Sequence, residues 1–209
     1  MSNTVGRPRL KQSQRPSMEA ADEILDAAAE LFTTRGYSAT STRRIAESVG
    51  LQQASIYHYF ATKQSILRTL LLSTVETTLA ALPGLLASEG HAAARLHSLA
   101  RFDSAQLLAS TWNLGALYLL PEVRGSEFDD FTRARRDLRD AYATLVDEVA
   151  TEEGLALSTV QRELPFRVVE TVISIRMDSE GLPSTLSGEI ADAALRALGV
   201  ASDRWVAAV

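Results

Sequence analysis

Cysteine is absent from the 209 residues, and histidine occurs only three times, as His58, His91 and His97. The missing thiols exclude disulfides, thiolate zinc sites and cysteine nucleophiles. His91 and His97 are six residues apart, a spacing that does not place two ligands on one helix face. Glycine-rich phosphate loops, serine elbows and paired carboxylates are missing as well. The sequence therefore predicts that the protein binds no metal and no cofactor and that it is not an enzyme.

Long apolar runs are also absent. No uninterrupted run approaches the roughly 20 residues that a membrane span needs, and the basic residues at the start are not followed by an apolar stretch. Apolar residues make up 46% and charged residues 22%, which is typical of a soluble globular chain. We expect a cytoplasmic protein.

Charge is divided unevenly along the chain, whose formal net charge is −5. Residues 1–68 carry 9 Lys or Arg and 6 Asp or Glu, whereas residues 69–209 carry 12 and 20. The basic part is the candidate for contact with phosphates. Residues 1–17 contain no acid, which predicts a basic disordered arm. The chain is therefore divided into this arm (1–17), a DNA-binding domain (18–68) and a larger domain (69–209).

Helical spacing of apolar residues dominates the chain, and no alternating β-branched segment of convincing length occurs, so the sequence predicts an all-α fold. Ile24, Ala27, Ala28, Leu31 and Phe32 indicate a first helix near 18–35, which Gly36 ends. The remaining predicted helices lie near 42–49, 53–59, from Thr62 to about Pro83, and near 92–110, 112–120, 126–153, 158–179 and 186–199.

The stretch TSTRRIAESVGLQQASIYHYF predicts a helix-turn-helix, two short helices joined by a tight turn at Gly50. Its apolar inner face is Ile45, Ala46, Val49, Leu51, Ile56 and Phe60. The second short helix of such a motif enters the major groove of DNA. We expect Gln53, Ser55 and His58 to reach base edges and Tyr57, Tyr59 and Lys63 to meet phosphates, with Arg43 and Arg44 suited to either role.

Residues 24–71 resemble the DNA-binding signature of the TetR family of transcriptional regulators. The matching residues are the alanine-rich first helix ending in Leu31-Phe32, then Gly36-Tyr37, Thr40, Ile45-Ala46, Val49-Gly50, Ile56-Tyr57, Phe60 and Lys63. The resemblance implies a three-helix DNA-binding head followed by a larger helical ligand-binding and dimerisation domain. It also implies that Lys63 stabilises the start of the fourth helix and meets the backbone, as Thr40 does at the second helix.

The chain departs from the family pattern at two positions. Gln52 stands where the family often has a serine cap on the recognition helix, and Tyr59 stands where histidine is frequent. The expected DNA-binding residues are Thr40, Thr42, Arg43, Arg44, Gln52, Gln53, Ser55, Tyr57, His58, Tyr59 and Lys63.

The basic arm contains Gly6-Arg7-Pro8-Arg9, which resembles the core of AT-hook motifs. In such a core the arginines lie in the narrow minor groove of A/T-rich DNA. Arg7 and Arg9 are therefore candidates for minor-groove contact, and a basic tail that adds only non-specific attraction explains the same residues.

The larger domain carries polar and aromatic residues among apolar helical stretches, and we take them as candidates for an effector pocket. They are Arg101, Asp103, Gln106, Trp112, Asn113, Tyr118, Glu170 and Arg176. Each of them also fits a structural role in the core, in an ion pair or in an interface. The charge-dense segment from Glu127 to Glu148 predicts a solvated helix face with Phe128, Phe131, Leu138, Tyr142, Leu145 and Val149 turned inward.

The last two long helices are more apolar than one protein face requires, which predicts a homodimer that pairs them into a four-helix bundle. A dimer places two recognition helices about one DNA turn, roughly 34 Å, apart, so the operator is expected to be palindromic. The predicted function is a ligand-responsive transcriptional regulator, in the first instance a repressor released by a small-molecule effector. The alternative is a DNA-binding or protein-interaction module without such an effector.

Overall fold

The structure is a computed structural model that describes residues 19–179, 181–201 and 203–206. Every regular element within these ranges is helical, which confirms the all-α prediction. The helices are α1 (Ala20–Arg35), α2 (Thr42–Ser48), α3 (Gln53–Ile56), α4 (Lys63–Ala87), α5 (Ala92–Ala109), α6 (Asp129–Glu153), α7 (Thr159–Asp178), α8 (Leu186–Arg196) and α9 (Asp203–Val206). Short 3₁₀ turns at Leu114–Leu119, Pro121–Arg124 and Ser126–Phe128 separate α5 from α6.

Two compact units divide the chain between Leu70 and Leu71. The boundary predicted from the sequence lies after residue 68, two residues earlier. Helix α4 runs across the division, so its first two turns belong to the first unit and the rest to the second.

The core of the first unit forms where α1, α2, α3 and the start of α4 turn their apolar stripes inward. The five residues that predicted the first helix, from Ile24 to Phe32, are buried, as are Ile45, Ala46 and Ile56. Tyr37, just after α1, packs edge-on against Phe32 with ring centroids 5.0 Å apart. Gly36 has a φ of 89°, a left-handed conformation that favours glycine and that ends α1 at this position.

The second unit is organised around α5, which packs against α6, α7, α8 and α9. Leu96, Leu99 and Ala100 are its buried face. From α6 the predicted inward set from Phe131 to Val149 is buried, and Phe128 is buried one residue before the helix begins. The period-3.6 pattern therefore identified the core face of α6.

Several predicted helix bounds differ from the structure, since α6 begins at Asp129 instead of residue 126 and α8 ends at Arg196 instead of residue 199. Helix α3 ends at Ile56 instead of Tyr59, because the chain tightens into i→i+3 bonds, with the Tyr59 amide donating to the Ile56 carbonyl at 2.9 Å. Helix α4 continues through Pro83 to Ala87. Pro83 is exposed, so water can satisfy the carbonyl that its missing N–H leaves unpaired. The segment predicted as a helix at 112–120 is a 3₁₀ turn.

Helix α4 is long and apolar enough to cross a membrane, a property that it shares with core helices of soluble proteins. Ile66, Leu67, Leu71 and Thr78 of this helix are buried.

The apolar surplus that predicted a dimer interface on α8 is largely used within the chain. Ile190, Ala194, Leu195 and Leu198 are all buried, mainly because α8 packs along α5 and α7. Helix α7 differs, since Val160 and Met177 are 68% and 69% exposed and Val168 and Ile175 are half-buried. An unpartnered apolar face therefore remains on α7 but not on the α8 residues named from the sequence.

Candidate nucleic-acid interface and cavities

Thr40 lies under the turn between α1 and α2. Its side chain is 1% exposed, and its hydroxyl donates to the Gly36 carbonyl at 2.9 Å and toward the Leu31 carbonyl at 3.3 Å. The sequence predicts Thr40 among the DNA contacts, but a buried hydroxyl with both bonds inside the protein cannot reach a ligand. Thr40 instead ties the end of α1 to the start of α2, in line with the role that the family resemblance implies.

Lys63 begins α4 and reaches back to the same turn. Its ammonium donates to the carbonyls of Tyr37 and Thr40, both at 2.9 Å, and lies 4.0 Å from the centroid of the Tyr37 ring. A charged donor shared by two carbonyls and an aromatic face forms a strong local clamp. The ammonium therefore points into the protein, and the phosphate contact predicted for Lys63 is not the role that this geometry gives it.

Helix α2 is capped by Ser41. The Ser41 hydroxyl accepts from the Arg44 amide at 3.2 Å. Gly50, with a φ of 70°, then turns the chain toward α3, and the Leu51 amide donates to the Ala46 carbonyl at 2.9 Å. Gln52 occupies the cap position of α3 without a side-chain cap bond, so its exposed amide remains outside the protein.

A hydrogen-bonded trio joins α2 to the end of α3 on the exposed face. The Gln53 amide nitrogen donates to the Thr42 hydroxyl at 3.0 Å and to the Tyr57 hydroxyl at 3.3 Å, and the two hydroxyls are 3.2 Å apart. These bonds lower the pKa of Tyr57, the bond with Thr42 contributing most. The Tyr57 ring is 50% exposed, so the trio presents its amide and hydroxyls to the surroundings in a fixed geometry.

The other predicted contacts surround this trio. Arg43, Arg44, His58 and Tyr59 are exposed, and Ser55 is half-buried. Arg43 forms an i,i+4 ion pair with Glu47 at 2.8 Å, which both residues can exchange for solvent or a phosphate because the pair is exposed. Arg7 and Arg9 lie outside the described residues.

Amide, hydroxyl, imidazole and guanidinium groups thus share one surface on two short helices that meet at a tight turn. Such groups match the donors and acceptors of base edges, and the guanidinium groups match phosphates. The arrangement is suited to contact duplex nucleic acid.

The second unit contains a small cavity of about 10 Å³, the space that one water molecule requires. It is lined by Thr74, Val75, Asp103, Leu107, Tyr118, Arg135, Leu138, Phe166, Val169 and Glu170. Tyr118 and Glu170 were expected in an effector pocket, as was Asp103. A neighbouring cavity of about 80 Å³ shares Thr74 and Leu107 and includes Gln106, another expected residue.

Four other residues expected in the pocket do not line these two cavities. Arg176 donates to the carbonyls of Ser110 at 2.6 Å and Thr111 at 3.2 Å, and also to that of Leu107, so it closes the carboxyl end of α5. Asn113 donates to the Ile173 carbonyl at 2.8 Å, Trp112 is half-buried and Arg101 is exposed. Arg176 and Asn113 therefore attach the segment after α5 to α7.

Asp103 is 3% exposed and accepts hydrogen bonds from Thr78 at 2.9 Å and Tyr142 at 3.0 Å. Burial, together with the nearby Glu170, raises the pKa of Asp103 to about 6 against these two bonds. The sequence does not predict Thr78 as a partner of Asp103, and it predicts Tyr142 only as a core residue. The signal that could have found both is a single acidic residue in the middle of the apolar helix α5.

Arg135 also lines the cavity, although in the sequence it resembles the several surface arginines of α6. Its Nε donates to Glu170 at 3.2 Å, and one terminal nitrogen makes a closer contact with the same oxygen. Within the described ranges, no group of three or more His, Cys, Asp or Glu side chains is arranged to hold a metal ion.

Comparison with known proteins places these features in a family. The sequence model of bacterial regulatory proteins of the tetR family matches residues 24–70. The crystal structure of AmtR from Mycobacterium smegmatis superposes with a TM-score of 0.86 and 52% identity, covering 92% of each chain. The HTH-type transcriptional repressor KstR2 is 27% identical, both in Rhodococcus jostii (69% of this chain, 72% of the relative) and in Mycobacterium tuberculosis H37Rv (78% and 83%).

Proposed function

The chain belongs to the TetR family of bacterial regulatory proteins, and from this we propose that it is a cytoplasmic, ligand-responsive repressor of transcription. In this proposal a homodimer binds a palindromic operator through α2 and α3, and a small-molecule effector in the second unit releases it. KstR2, named as a transcriptional repressor, is the relative that favours repression.

The observation that carries the DNA-binding part is the trio of Thr42, Gln53 and Tyr57. Gln53 donates through its nitrogen to both partners, so its side chain is held at the amino end of α3, the end that reads base edges in helix-turn-helix proteins. Tyr59 and Arg44, both exposed beside it, supply a hydroxyl and a positive charge for phosphates.

Dimerisation is proposed through α7 and α8, the last two long helices. Support comes from the exposed Val160 and Met177 and the half-buried Val168 and Ile175 on α7. On α8, Ala193 is exposed and small enough to allow close approach of a second helix. A twofold axis through these helices relates two recognition helices that lie one DNA turn apart, and such a dimer matches a palindromic operator.

The ligand switch is proposed to work through α4. This helix begins at the Lys63 clamp in the first unit and contributes Thr74 to both cavities of the second. An effector that binds one position of α4 more tightly than another shifts the protein toward that position. Each tenfold change in operator affinity requires a difference of about 1.4 kcal/mol between the effector's binding free energies for the two positions.

A second candidate is a DNA-binding or protein-interaction module without a small-molecule effector. The observation that favours it is the small volume of the two cavities that Thr74 and Leu107 line, about 10 and 80 Å³. Binding of a ligand to the second unit distinguishes the two candidates.

The test is selection of bound DNA from a random duplex pool, followed by a salt titration on the enriched site. We expect a palindrome whose affinity falls steeply with salt, since phosphate contacts release counterions. Arg44→Ala is expected to weaken binding, whereas the matched Arg136→Ala, an exposed arginine of α6, leaves it unchanged. Absence of enrichment over bulk DNA contradicts the proposal.

A further inference from the structure

The guanidinium of Arg135 lies in an enclosure that we name the cation box, formed by Tyr118, Phe166 and Glu170. Its central carbon is 5.4 Å from the ring centroid of each aromatic residue. The Glu170 carboxylate closes the box with hydrogen bonds to Nε and a terminal nitrogen. Two aromatic faces and a carboxylate around one site form the arrangement by which proteins recognise organic cations.

Arg135 can leave this box at low cost, because Glu170 has a second cationic partner. The other oxygen of Glu170 accepts from Arg167 at 2.9 Å. The Arg167 guanidinium also lies 5.5 Å from the Phe166 ring. Glu170 therefore stays paired when Arg135 moves, and the Arg135 side chain, 31% exposed, has a path to solvent.

A second carboxylate lines the same cavity without a cation of its own. Asp103 is bonded only to the hydroxyls of Thr78 and Tyr142 among the contacts of the described residues. A buried carboxylate without a counter-charge is costly, and a cation within about 4–6 Å stabilises its ionised form. The cavity thus contains two carboxylates and one guanidinium.

Space for the remainder of a ligand is present beside the box. The cavities of about 10 and 80 Å³ share Thr74 and Leu107. Between them the Tyr118 hydroxyl donates to the Thr74 hydroxyl at 2.6 Å. The larger cavity offers Ser73, Gln106 and Ser110 as polar groups, which suits a short, hydrogen-bonding substituent.

We propose that the effector is a small organic cation whose guanidinium or ammonium head replaces Arg135 in the cation box and faces Asp103. This inference rests on the proposed function, since it names the chemical class of the ligand that releases the operator. Arg135 then acts as an internal substitute that keeps the box closed while no ligand is bound.

The same residues connect the box to the elements that the switch requires. Thr78, which bonds to Asp103, and Thr74, which accepts from Tyr118, both lie on α4. Phe166 and Glu170 lie on α7, the helix with the exposed apolar face. Replacement of Arg135 by a ligand therefore changes contacts made by α4 and by α7 together.

The first test is calorimetric titration of the full chain with methylguanidine and with its neutral isostere methylurea, at pH 7.5 and constant ionic strength. We expect methylguanidine to bind wild type and methylurea to show no saturable binding. Equal responses to the two compounds, or no binding of methylguanidine, overturn the proposal.

Variants then locate the binding site. Arg135→Ala vacates the box, so methylguanidine is expected to bind at least tenfold more tightly than to wild type. Adding Asp103→Asn to Arg135→Ala is expected to weaken methylguanidine binding at least tenfold. Arg136→Ala, the neighbouring exposed arginine, is the matched control and should bind as wild type does. If Arg135→Ala does not fold, Arg135→Met is used in its place, because methionine retains the aliphatic part of the side chain.

A final measurement separates this inference from the function on which it rests. Operator binding is followed by fluorescence anisotropy with and without methylguanidine. Weaker operator binding in the presence of methylguanidine supports both the cationic effector and the proposed function. If methylguanidine binds and operator affinity stays unchanged, the cationic effector is contradicted and the proposed DNA-binding function stands. A bound cation with no operator binding at all contradicts the proposed function.

Discussion

The Lys63 ammonium donates to the Thr40 carbonyl at 2.9 Å and so joins the first turn of α4 to the residue before the α2 cap. Because the Tyr37 carbonyl accepts from the same group at 2.9 Å, the lysine stabilises the loop from which the recognition helices project. The contact assigns Lys63 to the positioning of the interface.

Lys63→Met is expected to lower the free energy of unfolding by about 1–3 kcal/mol, since two carbonyls lose a charged donor. Operator affinity should fall, but the slope of log affinity against log salt should stay as in wild type. Arg44→Ala, as a phosphate contact, should reduce that slope by about 1. Urea unfolding and salt titrations of both variants are the measurements. A reduced slope for Lys63→Met would show that its ammonium meets a phosphate.

The trio on the recognition surface predicts an energetic coupling between Thr42 and Tyr57. Thr42→Val and Tyr57→Phe each remove a hydroxyl and release Gln53 from one partner. In a double-mutant cycle on operator binding, we expect a coupling energy of about 0.5–1.5 kcal/mol. Additive effects of the two substitutions argue against a pre-organised trio. Tyr59→Phe combined with Thr42→Val is the control pair, for which additivity is expected.

Asp103 predicts a pH dependence of stability, because its pKa is raised from 3.8 to about 6 in the folded protein. Asp103 accepts hydrogen bonds from Thr78 and Tyr142, and the titratable residues Tyr118, Arg135 and Glu170 line the same cavity. Between these two pKa values the folded protein binds the proton more tightly than the unfolded chain. The stabilisation is therefore fully present below about pH 4 and is lost as the pH rises through 6.

Compared with Asp103→Asn, wild type should lose about 1 kcal/mol of unfolding free energy between pH 5 and pH 7.5. Urea unfolding of both proteins at the two pH values measures this difference. The surface variant Asp137→Asn should follow wild type, since its carboxylate is exposed. Parallel behaviour of wild type and Asp103→Asn would exclude the raised pKa.

Gly115 lies against Ile173 so closely that a side chain has no room. A Cβ at this position would lie 2.5 Å from the Ile173 Cγ1 atom and 2.6 Å from its Cδ1 atom. Gly115→Ala is expected to lower the unfolding free energy by about 1–3 kcal/mol through overpacking. Gly188→Ala, in α8 with open space around it, should raise it by up to about 1 kcal/mol.

Ile173→Ala in the Gly115→Ala background provides the internal check by thermal or urea unfolding. Removal of both crowding atoms should make the Gly115 substitution nearly neutral in that background. A Gly115 penalty that persists without the Ile173 side chain would mean that the glycine is required for another reason.

The sequence alone determined the features that depend on local spacing. The buried face of α1, the turn at Gly50 and the inward residues of α6 were readable because helix periodicity and turn signals act within a few residues. The exposed polar side chains of α2 and α3 followed from the same short-range logic, since most polar side chains of an amphipathic motif face outward.

Only the tertiary structure decided which distant residues meet. Lys63 clamps carbonyls 23 and 26 residues earlier, and Arg135 enters a box whose walls come from the turn before α6 and from α7. Nothing in the spacing of α6 separates Arg135 from its exposed neighbours, because the distinction is made by what packs against one position. Burial of the α8 residues in their own unit was hidden for the same reason: an apolar stripe does not state whether its partner is the same chain or another.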